Sequence, residues 1–227
     1  LQAFQGNLDL TAFEFFSEKA LKHVIEEKQL QRPFATQPDF YALVEFENNS
    51  EQDMDTAMNL FETCLEEGWV VDGTISQNST QANNLWRLRE DISETISKFT
   101  PYKNDISVKV SKVPEFLREV DSLVTSVYPD FEIIWFGHIG DGNVHLNILK
   151  PDALAAEAFF KECSKVSDLV FEIVAKHGGS ISAEHGVGLL KKPFLHYSRS
   201  ASEIAYMKAI KKIFDPKNIM NPGKLFD

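Results

Sequence analysis

The sequence predicts an α+β fold: an antiparallel or mixed sheet with helices packed on it, ferredoxin-like units, and a C-terminal helical tail. Three observations predict it. β-rich apolar runs and amphipathic helical runs follow one another in the order β-α-β-α-β-α-β-β-α. A Gly-Asp-Gly-Asn turn at 140–143 joins two neighbouring β-rich runs, which sets them antiparallel. No Pro/Gly/Ser-rich linker and no internal repeat divides the 227 residues, so 1–227 reads as a single domain.

The first element, "DLTAFEFFSEKALKHVIEE", opens on a Thr11-x-x-Glu14 capping signal and carries apolar residues at helical spacing, so a helix is predicted whose first few residues are extended or irregular. Its Phe13, Phe15 and Phe16 fit a core or an interface. "FYALVEFE" is a predicted strand, and "SEQDMDTAMNLFETCLEEG" a helix, with Ser50 and Asp53 at its start and Gly68 at its stop. "WVVDGTISQ" reads as the next strand and "TQANNLWRLREDISETISKF" as the next helix. In "DISVKVSKV", Ile106, Val108 and Val110 alternate with polar residues, the pattern of a half-buried strand. "VPEFLREVDSLVTSVY" is a helix with Pro114 in its first turn. "FEIIWFGHI" and "VHLNILK" are the strands flanking the glycine turn, and a long helix then runs to Gly178 and Gly179. Beyond it lie a glycine-punctuated loop, a short helix, and a proline-rich tail too short to fold without packing on something.

Composition removes several functions. A formal charge of −11 and a pI near 5.0 oppose nucleic acid as the main partner, because a polyanion requires clustered Lys and Arg. No apolar run reaches the roughly 18 to 20 residues of a spanning helix. Cys64 and Cys163 lack metal-type spacing and are expected as small core residues in a reducing compartment. Nucleotide-binding GxGxxG and GxxxxGK[ST] patterns, the G-x-S-x-G elbow and HExxH are all absent, so a redox cofactor or nucleotide must be bound elsewhere.

Three clusters can carry chemistry. If Asp141-Gly142 forms a type I′ turn in "GHIGDGNVHLNI", His138 stands opposite His145 on one face, close enough for both imidazoles to reach one divalent ion. Asn147 lies on that same face. Two ordinary hairpin histidines bonded to backbone fit the same residues. In "SAEHGVG", Glu184 offers a third ligand and His185 a general base working near neutral pH, since adjacent residues do not readily bind one ion. A solvated glycine-rich loop is the plainer reading. In "WRLREDIS", Arg89 and Ser93 are four residues apart on a helix and together can hold a carboxylate, with Lys103 in the following loop as a second cation. A surface ion pair of Arg89 with Glu90 or Asp91, and an exposed loop lysine, are the alternatives there.

Taken in order, "GHIGDGNVHLNI", "GGSISAEHGVGLLKK" and "FDPKNIMNPGKLF" resemble the C-terminal domain of FAD-linked 2-hydroxyacid dehydrogenases, the D-2-hydroxyglutarate dehydrogenase, D-lactate dehydrogenase and glycolate oxidase branch of the vanillyl-alcohol oxidase type flavoproteins. The likeness runs over nearly the whole chain. It implies a substrate-binding cap domain, with FAD bound mainly by an N-terminal domain absent from this chain. It implies zinc or a similar divalent metal on His138, His145 and Glu184, with His185 as the base. Substrate would be held by Arg89, Ser93, Lys103 and Asn147; Ser93 stands where the family has threonine and keeps the hydroxyl.

The implied reaction is oxidation of a D-2-hydroxy acid to the 2-oxo acid. The implied partners are the flavin domain or subunit, an electron acceptor such as a flavoprotein, quinone or cytochrome, and a second copy in a homodimer. The implied location is the cytoplasm, or the inner membrane face as a peripheral protein. The alternative is a non-catalytic cap or interface module for a separate flavin-binding subunit.

Overall fold

Residues 1–226 are described by a computed structural model. The chain divides into two compact units, one of residues 1–101 and 133–140, the other of residues 102–132 and 141–227. The chain passes between them inside or beside strands, so no linker composition marks the division.

In the first unit, helix α1 (Gln2–Gln5) precedes strand β1 (Leu10–Ser17) and helix α2 (Glu18–Lys28). The predicted helix from Thr11 is therefore a strand up to Ser17, whose side chain caps α2 by accepting the Ala20 N–H. Strand and helix were hard to separate because Glu14 to Ser17 are all buried, which erases the alternation of a half-exposed strand. Strand β2 (Phe40–Phe46) pairs antiparallel with β1, Phe15 opposite Ala42. β1 and β2 thus lie side by side although α2 connects them, a more local pairing than a split β-α-β unit makes. Helix α3 (Glu51–Glu66) follows, with the Ser50 N–H donating to Asp53 at 2.8 Å.

The predicted strand over "WVVDGTISQ" is irregular backbone, with Trp69 and Val71 exposed. The next predicted helix is interrupted at Asp91 into α4 (Ser79–Glu90) and α5 (Ile92–Ser97). Strand β4 (Glu132–His138) pairs with β1, Phe15 opposite Gly137, giving the order β2-β1-β4. Phe15, Phe16, Leu21, Val24, Ile92, Ile96 and Trp135 form the apolar core.

In the second unit, strand β3 (Tyr102–Ser107) pairs antiparallel with β5 (Asn143–Leu149). β3 begins three residues before the predicted strand, so Lys103 belongs to a strand rather than a loop, and Val110 lies in a 3-10 turn. Helices α6 (Val113–Val127) and α7 (Ala156–Lys176) bury Phe116, Val120, Val124, Phe159, Val170 and Phe171. The loop after α7 is tied to β3 by a bridge between Ser107 and Ser180. Helix α8 (Ala201–Phe214) begins at a Ser200–Glu203 capping box. The tail packs back on it: Asp215 accepts the N–H groups of Ile219 and Met220, and Lys211 donates to Asp215. Both cysteines are free and buried as expected. No helix among the described residues is long and apolar enough to cross a membrane. The class is α+β with antiparallel strands.

Candidate metal and substrate site

The turn between the two motif histidines differs from the predicted one. It holds four residues, Ile139 to Gly142, and of its two expected central residues only Gly142 has positive φ, at 82°. A type I′ turn needs positive φ at both. Gly140 instead donates its N–H to Phe13, and Gly142 accepts from Val108 at 3.0 Å. These backbone bonds set the turn, and the two-residue register that placed His138 directly opposite His145 loses its basis.

Each histidine has its own surroundings within its unit. His138 ends β4, one residue beyond the Phe15–Gly137 pair, and Glu14 lies one residue before Phe15 on the facing strand. The Nδ1 of His138 is 2.7 Å from Glu14 Oε1. Glu14 Oε2 is 2.9 Å from the Nη2 of Arg89, a residue only 8% exposed whose guanidinium lies over the Phe136 ring. A buried carboxylate thus bridges a buried cation and an imidazole. An ionised carboxylate only accepts, so Nδ1 of His138 is the donor in this contact. Arg89 is accordingly no surface ion pair with Glu90 or Asp91. Ser93, on α5 beyond the interruption, is exposed.

In the second unit Asp105 and His145 are Cα partners across β3 and β5, and Lys103 pairs with Asn147 two residues along. Period two puts all four on one face, with Asp105 and Asn147 buried and Lys103 exposed. His145 Nδ1 is 3.6 Å from Asp105 Oδ1, and its Nε2 is 3.8 Å from Glu184 Oε1. His185 Nε2 is 3.5 Å from that same Glu184 oxygen. Asp105 Oδ2 accepts the backbone N–H groups of Ala183, Glu184 and His185, each at 3.0 Å. One carboxylate oxygen therefore fastens the loop that carries both expected loop residues.

The electrostatics follow from these contacts. Burial pushes the Asp105 carboxyl up, but the N–H groups of His185 and Glu184, together with Lys191, outweigh it and leave its pKa below the ordinary value. Lys191 donates to the Asp105 carbonyl at 2.6 Å; burial draws its pKa down to about 8 against the pull of Asp105.

Ligand atoms of Asp105, His145, Glu184 and His185 lie within 4.8 Å of one another. Ligand atoms around a tetrahedral ion bonded at zinc distances stand about 3.4 Å apart, so the His145–Glu184 pair needs only a few tenths of an ångström to close on a cation. The donor set, imidazole and carboxylate, suits zinc or a similar divalent ion. The sequence reading took Glu14 only as part of a capping signal and did not single out Asp105. The available signal was a charge inside an apolar strand run: Glu14 among Phe13, Phe15 and Phe16, and Asp105 before Ile106.

Comparison with known proteins gives the family. The family described as "FAD linked oxidases, C-terminal domain" matches residues 2–225. The chain belongs to this family. Within it, the chain is 61% identical over 226 residues to a D-2-hydroxyglutarate dehydrogenase of Stutzerimonas stutzeri, covering 100% of the chain and 49% of that protein. It is 51% identical over 225 residues to one of Xanthomonas citri pv. viticola, covering 99% of the chain and 48% of that protein. The chain therefore spans about half the length of these curated relatives. The solved 4-ethylphenol oxidase of Gulosibacter chungangensis, in complex with isoeugenol, shares the fold with a TM-score of 0.61 at 11% identity, over 95% of this chain and 47% of that one.

Proposed function

We propose that this member of the FAD-linked oxidase family is the catalytic C-terminal part of an FAD-dependent dehydrogenase that oxidises a D-2-hydroxy acid, 2-hydroxyglutarate or a lactate-like acid, to the 2-oxo acid. One observation carries the proposal: His145 stands between a buried carboxylate facing Nδ1 and a half-exposed carboxylate facing Nε2, the arrangement of a carboxylate–histidine–metal centre. The two relatives named D-2-hydroxyglutarate dehydrogenase support the substrate class.

His145 and Glu184 are the proposed ligands of the second unit, and His138 joins them on the strength of its motif, with Nδ1 already engaged by Glu14. A bound cation supplies a Lewis acid for the α-hydroxyl, and FAD supplies the two-electron acceptor. The residues of the chain do the rest. His185, two-thirds exposed, takes the hydroxyl proton. Arg89, its plane fixed by Glu14 and Phe136, holds the carboxylate with Ser93. Lys103 reaches a distal carboxylate, and buried Asn147 lines the same face as His145.

The test is oxidation of D-2-hydroxyglutarate and D-lactate by the full-length, FAD-loaded protein with an artificial acceptor. His185→Ala lowers kcat at least about a hundredfold for either acid; turnover that survives it overturns the assignment. Lys103→Ala raises KM for the dicarboxylate about tenfold or more and leaves lactate unchanged, the scale of one hydrogen bond to a charged group.

A further inference from the structure

We infer that Asp105 is a positioning residue of the metal-binding face: one of its oxygens fastens the loop bearing Glu184 and His185, and the other sets the tautomer of His145 so that Nε2 keeps its lone pair toward Glu184. The inference rests on the proposed metal reading and adds a residue to it.

The two oxygens of Asp105 do different work. Oδ2 is consumed by three backbone N–H groups at 3.0 Å. Oδ1 is buried, has no hydrogen-bond partner, and faces His145 Nδ1 at 3.6 Å. Burying a carboxylate oxygen without a donor is costly, so a residue needed only to pin the loop gains nothing from this placement. An approach of about 0.7 Å turns the contact into a charge-assisted hydrogen bond from Nδ1–H.

The carboxylate on the other side of the ring is the more exposed of the two. Glu184, facing Nε2, has a side chain half exposed, whereas that of Asp105 is 8% exposed. Of the two carboxylates flanking the ring, the exposed one faces Nε2 and the buried one faces Nδ1, which places Asp105 behind the histidine rather than among the ligands. A histidine whose Nδ1–H is bound to a carboxylate presents Nε2 to the metal in the correct orientation. In the first unit the corresponding contact is already closed, with His138 Nδ1 2.7 Å from buried Glu14. Two residues of one motif, in separate units, each have a buried carboxylate facing Nδ1.

The experiment compares wild type with Asp105→Asn in the full-length, FAD-loaded protein. Asparagine keeps an oxygen for the three N–H groups but turns a donor toward Nδ1, which drives the proton to Nε2. Long-range proton–nitrogen NMR of histidine-labelled, metal-free protein reads the tautomer, and competition with a chelating dye reads zinc affinity. Wild type is expected to show Nδ1–H at His145; the variant shows Nε2–H and binds zinc 10- to 100-fold more weakly, on the order seen when an outer carboxylate is lost. Wild type with Nε2–H overturns the inference without recourse to any variant. Zinc binding that is equally tight in Asp105→Asn overturns it while the metal reading stands. Absence of zinc binding in wild type, with Nδ1–H present, removes the metal reading and the positioning role with it.

Discussion

Glu14 sits inside an aromatic strand with two groups depending on it, and its removal shows how much a single carboxylate holds together. Its side chain is 7% exposed and ion-paired with Arg89, itself 9% exposed. Taking one partner from a buried pair leaves the other charge without its counterion, which costs more than the pair ever contributed. Glu14→Gln, of nearly equal volume, is expected to lower stability by about 3 kcal/mol, read as a shift in the urea midpoint at unchanged slope. A loss under about 1 kcal/mol would mean that Arg89 finds other compensation. Of the candidate residues, His138, His145, Glu184 and His185 were legible in the sequence because imidazoles and a carboxylate among glycines stand out, and Arg89 because Ser93 follows it four residues on in a helical run. Glu14 and Asp105 were not, because an acidic residue reads as surface until the strand around it is known to be buried on both faces.

Among the elements, the clearest were those with strong end signals: α3 and α8 begin at their Ser-x-x-acidic boxes, and α6 carries its proline in the first turn. β1 and the segment after Gly68 were misread for opposite reasons. The buried end of β1 lost its alternation, while Trp69 and Val71 have β-forming side chains that stay exposed and pair with no described strand. The turn between β4 and β5 is governed by contacts that short-range rules do not contain. At Gly142, φ is 82° and a Cβ would meet the Val108 carbonyl oxygen at 2.0 Å. Gly186 also has positive φ, 74°, but nothing lies within 4 Å of its Cβ position. Gly142→Ala is therefore expected to destabilise by well over 1 kcal/mol and Gly186→Ala by about 1 kcal/mol, the cost of φ alone. Equal thermal shifts in the two variants would show that the Val108 contact relaxes.

At the scale of the whole molecule, titration adds a signature. Asp105 and Asp215 have pKa values below the ordinary 3.8, and Glu18 below 4.5. Groups depressed on folding stabilise fully above those values and lose that contribution as pH falls through the lower folded ones. Lys191 behaves in the other sense. Its folded pKa of about 8 lies below 10.5, so its burial opposes folding while it is charged, and stability rises with pH between the two values. Thermal unfolding is expected to show a steep decline below pH 4 and a small rise from pH 8 to 10, the rise disappearing in Lys191→Met. A flat alkaline limb in wild type would place Lys191 in water. The division into two units was hidden from the sequence because it is written in strand partners rather than in composition. It also dictates an order of events during synthesis. β1 leaves the ribosome with β2 soon behind it, but its other neighbour, residues 133–140, emerges only after thirty-one residues of the second unit have been made. Until then Glu14 has Arg89 but not His138, and one edge of β1 is open to any passing strand. The nascent chain is thus most exposed to mispairing at the very strand whose Glu14 will later hold both Arg89 and His138.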